Sequence, residues 1–415
     1  MIAAVLAASL SVQTAAAQPG FGNFVYSNNY SAGQFRDVSD SDWFARYVQD
    51  AYNFGFLRGK SANMFDPGGQ LTLGEAVTIA ARLRSIYYTG KADFAESAPY
   101  YAVYADYALI HGIISAHGDY NAPVTRASFA VLMHNALPPE AFQVQNEIPD
   151  YGICDVASDT AVGAAVYALY RAGILAGSDQ YGTFFADSEI TRAEACAVMV
   201  RLADPPTRVR TLLPDNIPAA VIFQRSADAV FMLETFDSHG KSIRTGSGFF
   251  ISDSGLAVTA LHVIENASSA TLTLYNGETC LMRGVRAISE EYNLVVFSVV
   301  SRKDGFCYLQ LADSDLIQEG NTVYALGSPR GLHNTISEGI ISFSGREVDA
   351  DTLIQFTAPI SFGSGGSALL NTLGQVVGVA ASSFTFGQNL NLAVPVNNIK
   401  TLDYGPLIPL SDLLP

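Results

Sequence analysis

The sequence predicts a multidomain chain: an all-α array of helical hairpins followed by an all-β double barrel. Two observations carry this prediction. A helix–turn–helix pattern recurs three times across Phe35–Ala203, and after a proline-rich stretch the pattern changes to short alternating strands. A third observation, a histidine just after one apolar strand and a glycine-flanked serine just before another, places the chemistry in the second half. The 415 residues leave room for two or more domains, and a 49% hydrophobic composition supplies their cores. A net charge of -16, with no basic cluster, argues against nucleic acid as a partner.

Residues 1–18, "MIAAVLAASLSVQTAAAQ", combine a short apolar run with Ala15-Ala16-Ala17 and read as a signal peptide, so the protein is expected to be exported. No Lys or Arg precedes Arg36, so the usual basic start of such a segment is missing. No later run reaches the roughly 18–20 apolar residues of a membrane span. Cys154 and Cys196 lie in the first half, Cys280 and Cys307 in the second. Oxidising surroundings would permit a pair within each domain, and buried thiols acting as small apolar groups are the other reading.

The helical region, 30–204, divides into copies at about 30–90, 91–138 and 146–204. In the first, Phe44, Tyr47, Val48, Ala51 and Tyr52 recur at helical spacing and Gly55 and Gly59 break the pattern. "TLGE" (Thr72–Glu75) and "TRAE" (Thr191–Glu194) are capping boxes, in which Thr accepts from the N3 amide and Glu reaches back to the cap amide. Arg126 and Arg192 fall at the first helical position, where the macrodipole disfavours a cation by a few tenths of a kcal/mol. A cation there needs a counter-anion, and with the exposed helix N–H groups it makes an anion-binding site. These copies resemble S-layer homology (SLH) modules. That resemblance implies attachment to an anionic secondary cell-wall polymer at the cell surface, with Arg126 and Arg192 contacting its carboxylates. The first copy departs, with Leu73 at the arginine position. The plainer alternative is that the arginines only pair with a neighbouring carboxylate.

Residues 205–217 are proline-rich and aperiodic, a semi-rigid linker. From 218 to 403 the runs "AVFMLET", "SGFFI", "LAVTALHV", "ATLTLY", "LVVFSVV", "TVYALG", "QVVGVAA" and "NLAVPV" alternate apolar and polar residues between turn signals. Residues 404–415 form a tail. The order "GSGFFI", "TALHVI", "GSGGSALLN", "NLAVPVNNIK" resembles HtrA-type, chymotrypsin-like serine proteases. The resemblance implies a chymotrypsin-like double β-barrel, polypeptide substrates, His262 as general base and Ser364 as nucleophile. Gly365 and Gly366 would allow the tight turn, and Gly363 would help form the oxyanion hole.

Two departures stand out. Ser364 is out of step with its flanks: a gapless alignment puts Gly365 at the nucleophile position, and Ser367 is a further candidate. Where the family carries Asp, this chain has Asn293, an amide without the charge that stabilises imidazolium. Glu290 and Glu291 lie close by without obviously replacing it. "FTAPISFG" carries no acid, so a small or medium apolar P1 residue is expected. No motif calls for a metal or other cofactor, and the sequence sets no oligomeric state. The leading reading is a wall-attached serine endopeptidase; the rival is a catalytically silent surface binding protein of the same fold.

Overall fold

The computed structural model describes residues 18–300, 305–328, 334–348, 351–381 and 390–413; apart from Gln18, the expected signal peptide lies outside them. The chain forms two compact units. One comprises Met1–Glu147, Ala161–Ala176 and Phe185–Leu212, and the other Ile148–Thr160, Gly177–Phe184 and Leu213–Pro415.

The first unit is helical and closes on itself. Its helices are α1 (Ala45–Asn53), α2 (Leu73–Thr89), α3 (Ala102–Ile110), α4 (Arg126–Ala136), α5 (Ala161–Arg171) and α6 (Arg192–Ala203). The second helix of each copy packs on the first helix of the next: α2 on α3, α4 on α5, and α6 back onto α1. At that last contact Arg201 donates to the Tyr47 hydroxyl at 2.8 Å and lies over its ring.

Threonine starts each second helix for the predicted reason. The amides of Glu75, Ser128 and Glu194 donate to the hydroxyls of Thr72, Thr125 and Thr191 at 3.2, 3.2 and 3.3 Å, and α2 and α6 have complete capping boxes. The residues just before these threonines meet on a pseudo-threefold axis: Leu71 N–H donates to Ile190 O, Val124 N–H to Leu71 O, and Ile190 N–H to Val124 O. The three side chains are buried, each contributing about 1.5–3 kcal/mol over an exposed position.

The second unit contains two closed six-stranded antiparallel barrels. The strands of the first are β1 (Val230–Phe236), β2 (Ser242–Phe250), β3 (Leu256–Ala260), β4 (Ser269–Leu274), β5 (Thr279–Ser289) and β6 (Leu294–Val299), in the order β1-β2-β3-β6-β5-β4. The second has β7 (Thr322–Gly327), β8 (Thr335–Val348), β9 (Asp351–Phe356), β10 (Ala368–Leu370), β11 (Val376–Ala381) and β12 (Asn391–Pro395), in the order β10-β11-β12-β9-β8-β7.

Period-2 alternation sends Phe231, Phe250 and Phe297 into the first barrel and Ile341, Ile354 and Phe356 into the second. A third cluster, with Phe249, Val258, Leu326 and Val379, joins the barrels. Short segments from before the linker belong to this unit. Fully buried Gln375 donates to the carbonyls of Tyr151 and Ile153 at 3.1 and 3.0 Å, and Lys400 meets Asp159 at 2.9 Å. Cys154 and Cys196 are buried free thiols, and burial pushes Cys196 up to about 12.

Candidate active site

The barrel register builds the first half of the site. Ala260 at the end of β3 lies opposite Leu294 at the start of β6, so the residues just beyond them are held together and Leu261 N–H donates to Asn293 O at 2.9 Å. The chain then enters a single helical turn, α7 (Leu261–Ile264), which presents His262. Asn293 sits at φ 51°, a left-handed conformation that asparagine tolerates better than most residues.

The amide of Asn293 bonds His262 in an orientation the geometry settles. Asn293 Oδ1 accepts the backbone N–H of His262 at 2.9 Å, which only an oxygen can do, so Nδ2 faces the imidazole, 2.9 Å from Nδ1. Oδ1 is farther from Nδ1, at 3.3 Å. With Nδ2 donating, Nδ1 is an acceptor, and the neutral ring carries its proton on Nε2. Desolvation holds the His262 pKa below its ordinary value and the Arg244 guanidinium adds to this, against the charge of Glu265. Arg244 itself bonds the His262 carbonyl and, at 3.1 Å, Glu265.

The second half is the loop that enters β10. Ser364 N–H donates to Ser361 O at 2.9 Å, and Ser364 Oγ accepts the Ser361 N–H at 3.2 Å. Ser364 is only 3% exposed. Among the described residues its hydroxyl bonds within its own loop and not to His262. Gly363 and Gly366 have φ of 88° and 84°. At Gly366 a side chain would also collide with the backbone, since a Cβ would lie 2.3 Å from Ser247 O. Gly365 is not in the left-handed region; its carbonyl accepts from Ser247 N–H at 2.9 Å. Among the described residues neither the Gly363 nor the Gly365 N–H donates a hydrogen bond.

Ser247 is a member of this site that sequence reasoning passed over. Fully buried, its hydroxyl donates to Gly363 O at 2.8 Å and accepts the Ser328 N–H at 2.8 Å, joining both barrels to the loop. Its only signal was its place in "GSGFF". Beside the loop lies a cavity of about 240 Å³ whose lining includes Ala325, Gly327, Ile360, Ser364 and Ser367. Among the described residues no acid lines it.

Arg126 and Arg192 lie in the helical unit and are 8% and 2% exposed. Arg126 pairs with Glu194 at 2.5 Å. Arg192 donates to Phe65 O and Arg58 O at 3.0 and 2.6 Å, lies over the Phe65 ring, and stands 3.7 Å from Glu75. Burial works against the charged form of Glu75, but the Thr72 N–H, Lys60 and Arg192 together hold its pKa below the usual value. Among the described residues no cluster of metal-ligating side chains forms, and no helix is long and apolar enough to cross a membrane.

Comparison with known proteins matches a trypsin-like peptidase domain at residues 246–379 and S-layer homology domains at 34–77 and 155–196. The protein named HhoA of Synechocystis sp., a serine protease by description, is 33% identical over 175 residues, 40% of this chain and 44% of its own. A periplasmic DegP-like serine endoprotease of Chlamydia trachomatis is 37% identical over 138 residues, 32% of this chain and 27% of its own. The chain thus spans under half the length of these relatives. Among solved structures, the HtrA-type protease AlgW with tripeptide matches at 27% identity and a TM-score of 0.40, covering 44% of this chain and 61% of that one. The chain therefore carries SLH domains and a trypsin-like peptidase domain whose relatives are HtrA- and DegP-like serine proteases.

Proposed function

We propose that this is an exported, cell-surface protein whose SLH domains attach it to an anionic wall polymer. Its peptidase domain binds extended polypeptide and hydrolyses it at a rate lowered by orders of magnitude. The observation that carries the catalytic reading is the Asn293–His262 contact. A general base must accept the serine proton on Nε2, and here the amide fixes a ring whose Nε2 already holds a proton. In another serine protease, the same Asp-to-Asn replacement lowers kcat by about 10⁴, or about 5 kcal/mol of barrier.

The loop supports the same reading. In serine peptidases the oxyanion hole is formed by the nucleophile's own amide and that of the residue two before it. The undonated amides of Gly363 and Gly365 have this spacing, which puts position 365 in the nucleophile's place, where the chain has no hydroxyl. A fully active endopeptidase using Ser364 is the second reading, favoured by the lining of the cavity by Ser364 and Ser367. Wall attachment draws on Arg126 and Arg192 as positioning residues, because their guanidiniums are spent on internal partners.

Unfolded casein tests the catalytic part. Attenuation predicts that the full chain binds casein and releases fragments no faster than its Ser364→Ala variant; rapid release abolished by that substitution would establish the second reading. Pull-down on purified cell walls tests the anchor, and no retention of the full chain would remove it.

A further inference from the structure

The first helix of each copy ends in the same turn, and two of the three turns are covered. Gly55, Gly112 and Gly173 follow α1, α3 and α5 in the left-handed region, at φ 74°, 68° and 72°, and donate to the carbonyls of Tyr52, Leu109 and Tyr170. A helix end leaves its last carbonyls without partners inside the helix. In the first copy an irregular segment supplies them: Ser27 and Asn28 N–H donate to Asn53 O at 2.7 and 3.0 Å, and Asn28 Nδ2 donates to Tyr52 O at 2.8 Å. The third copy repeats this, with Gln145 and Asn146 N–H on Arg171 O at 2.7 and 2.9 Å and Asn146 Nδ2 on Tyr170 O at 2.9 Å.

The second copy has no such cover. Among the described residues no group donates to Ile110 O, and Leu109 O receives bonds only from its own turn. The glycines report the same difference independently: a Cβ on Gly55 would lie 2.6 Å from Ser27 Oγ and one on Gly173 2.5 Å from Val209 O, but one on Gly112 meets nothing within 4 Å. Ile110 is 78% exposed where its counterpart Asn53 is 7% exposed, and Leu109 is exposed beside it. Chain length explains the difference. Asn28 and Asn146 precede the starts of α1 and α5 by 17 and 15 residues, and the same step back from Ala102 falls within α2.

We propose that the end of α3 is a docking seat for an irregular, asparagine-bearing segment of a partner protein, which places two consecutive backbone N–H groups on Ile110 O, the asparagine amide on Leu109 O, and apolar surface on both side chains. The two covered turns display the occupant's chemistry. Asparagine suits the seat because it offers a donor and an acceptor at once, as Asn146 does in donating to Tyr170 O while its Oδ1 accepts Thr211 N–H at 3.1 Å. Aspartate would set a charge against a carbonyl.

Methyl NMR of the full chain, labelled at isoleucine and leucine, tests this with the peptide QVQNEI, the sequence of Gln143–Ile148, as probe. The Leu109 and Ile110 methyls are expected to shift saturably, and the peptide with alanine for asparagine should bind about fivefold more weakly. Gly112→Asn should abolish the shifts with the melting temperature unchanged, because asparagine tolerates the left-handed backbone and its side chain enters open space. Should that variant unfold, Ile110→Ser at its exposed position serves instead, and binding read at Leu109 should weaken about tenfold. No shift at either methyl up to the peptide's solubility limit, equal binding of the alanine peptide, or shifts that survive the substitutions overturn the proposal. Shifts that grow with protein concentration alone would seat a second copy there and overturn it too.

Discussion

Asn293 holds His262 from two sides, its Oδ1 on the backbone N–H and its Nδ2 on the imidazole Nδ1, both at 2.9 Å. The contact orients the ring but gives its charged form no anion, and burial depresses the pKa. This has a stability consequence. Above the unfolded value of about 6.5, both states hold a neutral ring and the contribution is complete. Below it, the unfolded chain takes up a proton that the folded chain resists, so stability falls until the folded pKa is passed. Urea unfolding between pH 7.5 and 5 should show the native chain losing stability relative to His262→Asn as pH falls. A constant difference would contradict the depressed pKa. Asn293→Asp should raise the His262 titration midpoint, read by NMR, because it places a negative charge beside the imidazolium.

A second prediction concerns the missing hydroxyl. Position 365 lies outside the left-handed region, so serine fits its backbone, whereas Gly366 at φ 84° must stay glycine. Asn293→Asp alone should therefore give little hydrolysis, and Asn293→Asp with Gly365→Ser should raise casein cleavage by at least about a hundredfold, the scale of positioned general-base catalysis. Strong cleavage by Asn293→Asp alone, lost on adding Ser364→Ala, would make Ser364 the nucleophile.

The helical ring yields a third. Arg126 of the second copy pairs with Glu194 of the third, and Arg192 of the third reaches Glu75 of the first. By the same rotation Leu73 of the first copy corresponds to the arginines and Ser128 of the second to the glutamates, so both members of the third pair are absent together. Leu73→Arg with Ser128→Glu should show a favourable coupling of about 0.5–1 kcal/mol in a double-mutant unfolding cycle. Additive effects would mean that the two positions do not meet as the rotation requires.

Much of this was legible in the sequence because it depends on local patterns. Thr72 and Thr191 announced their capping boxes, and period-2 runs announced eight of the twelve strands described. The first copy's Leu73 read as a lone defect, because its counterpart, Ser128, lies in another copy and only the closed ring relates them. Gly365 and Ser364 could not be ranked from flanking spacing alone; undonated amides and the Ser361–Ser364 bonds are facts of loop geometry. Ser247 was hidden for a similar reason, since a serine within an apolar strand shows nothing of the carbonyl it meets 116 residues away. Which atom of Asn293 faces the imidazole follows from a backbone N–H that no motif encodes.

The most direct measurement of the central claim is labelling of the full chain by a serine-directed fluorophosphonate, followed by mass spectrometry. The account predicts no adduct on Ser364 or Ser367 under conditions that fully label an active serine protease, and an adduct at position 365 once Asn293→Asp and Gly365→Ser are introduced. Rapid stoichiometric labelling of Ser364 in the unaltered chain, abolished by His262→Ala, would contradict it.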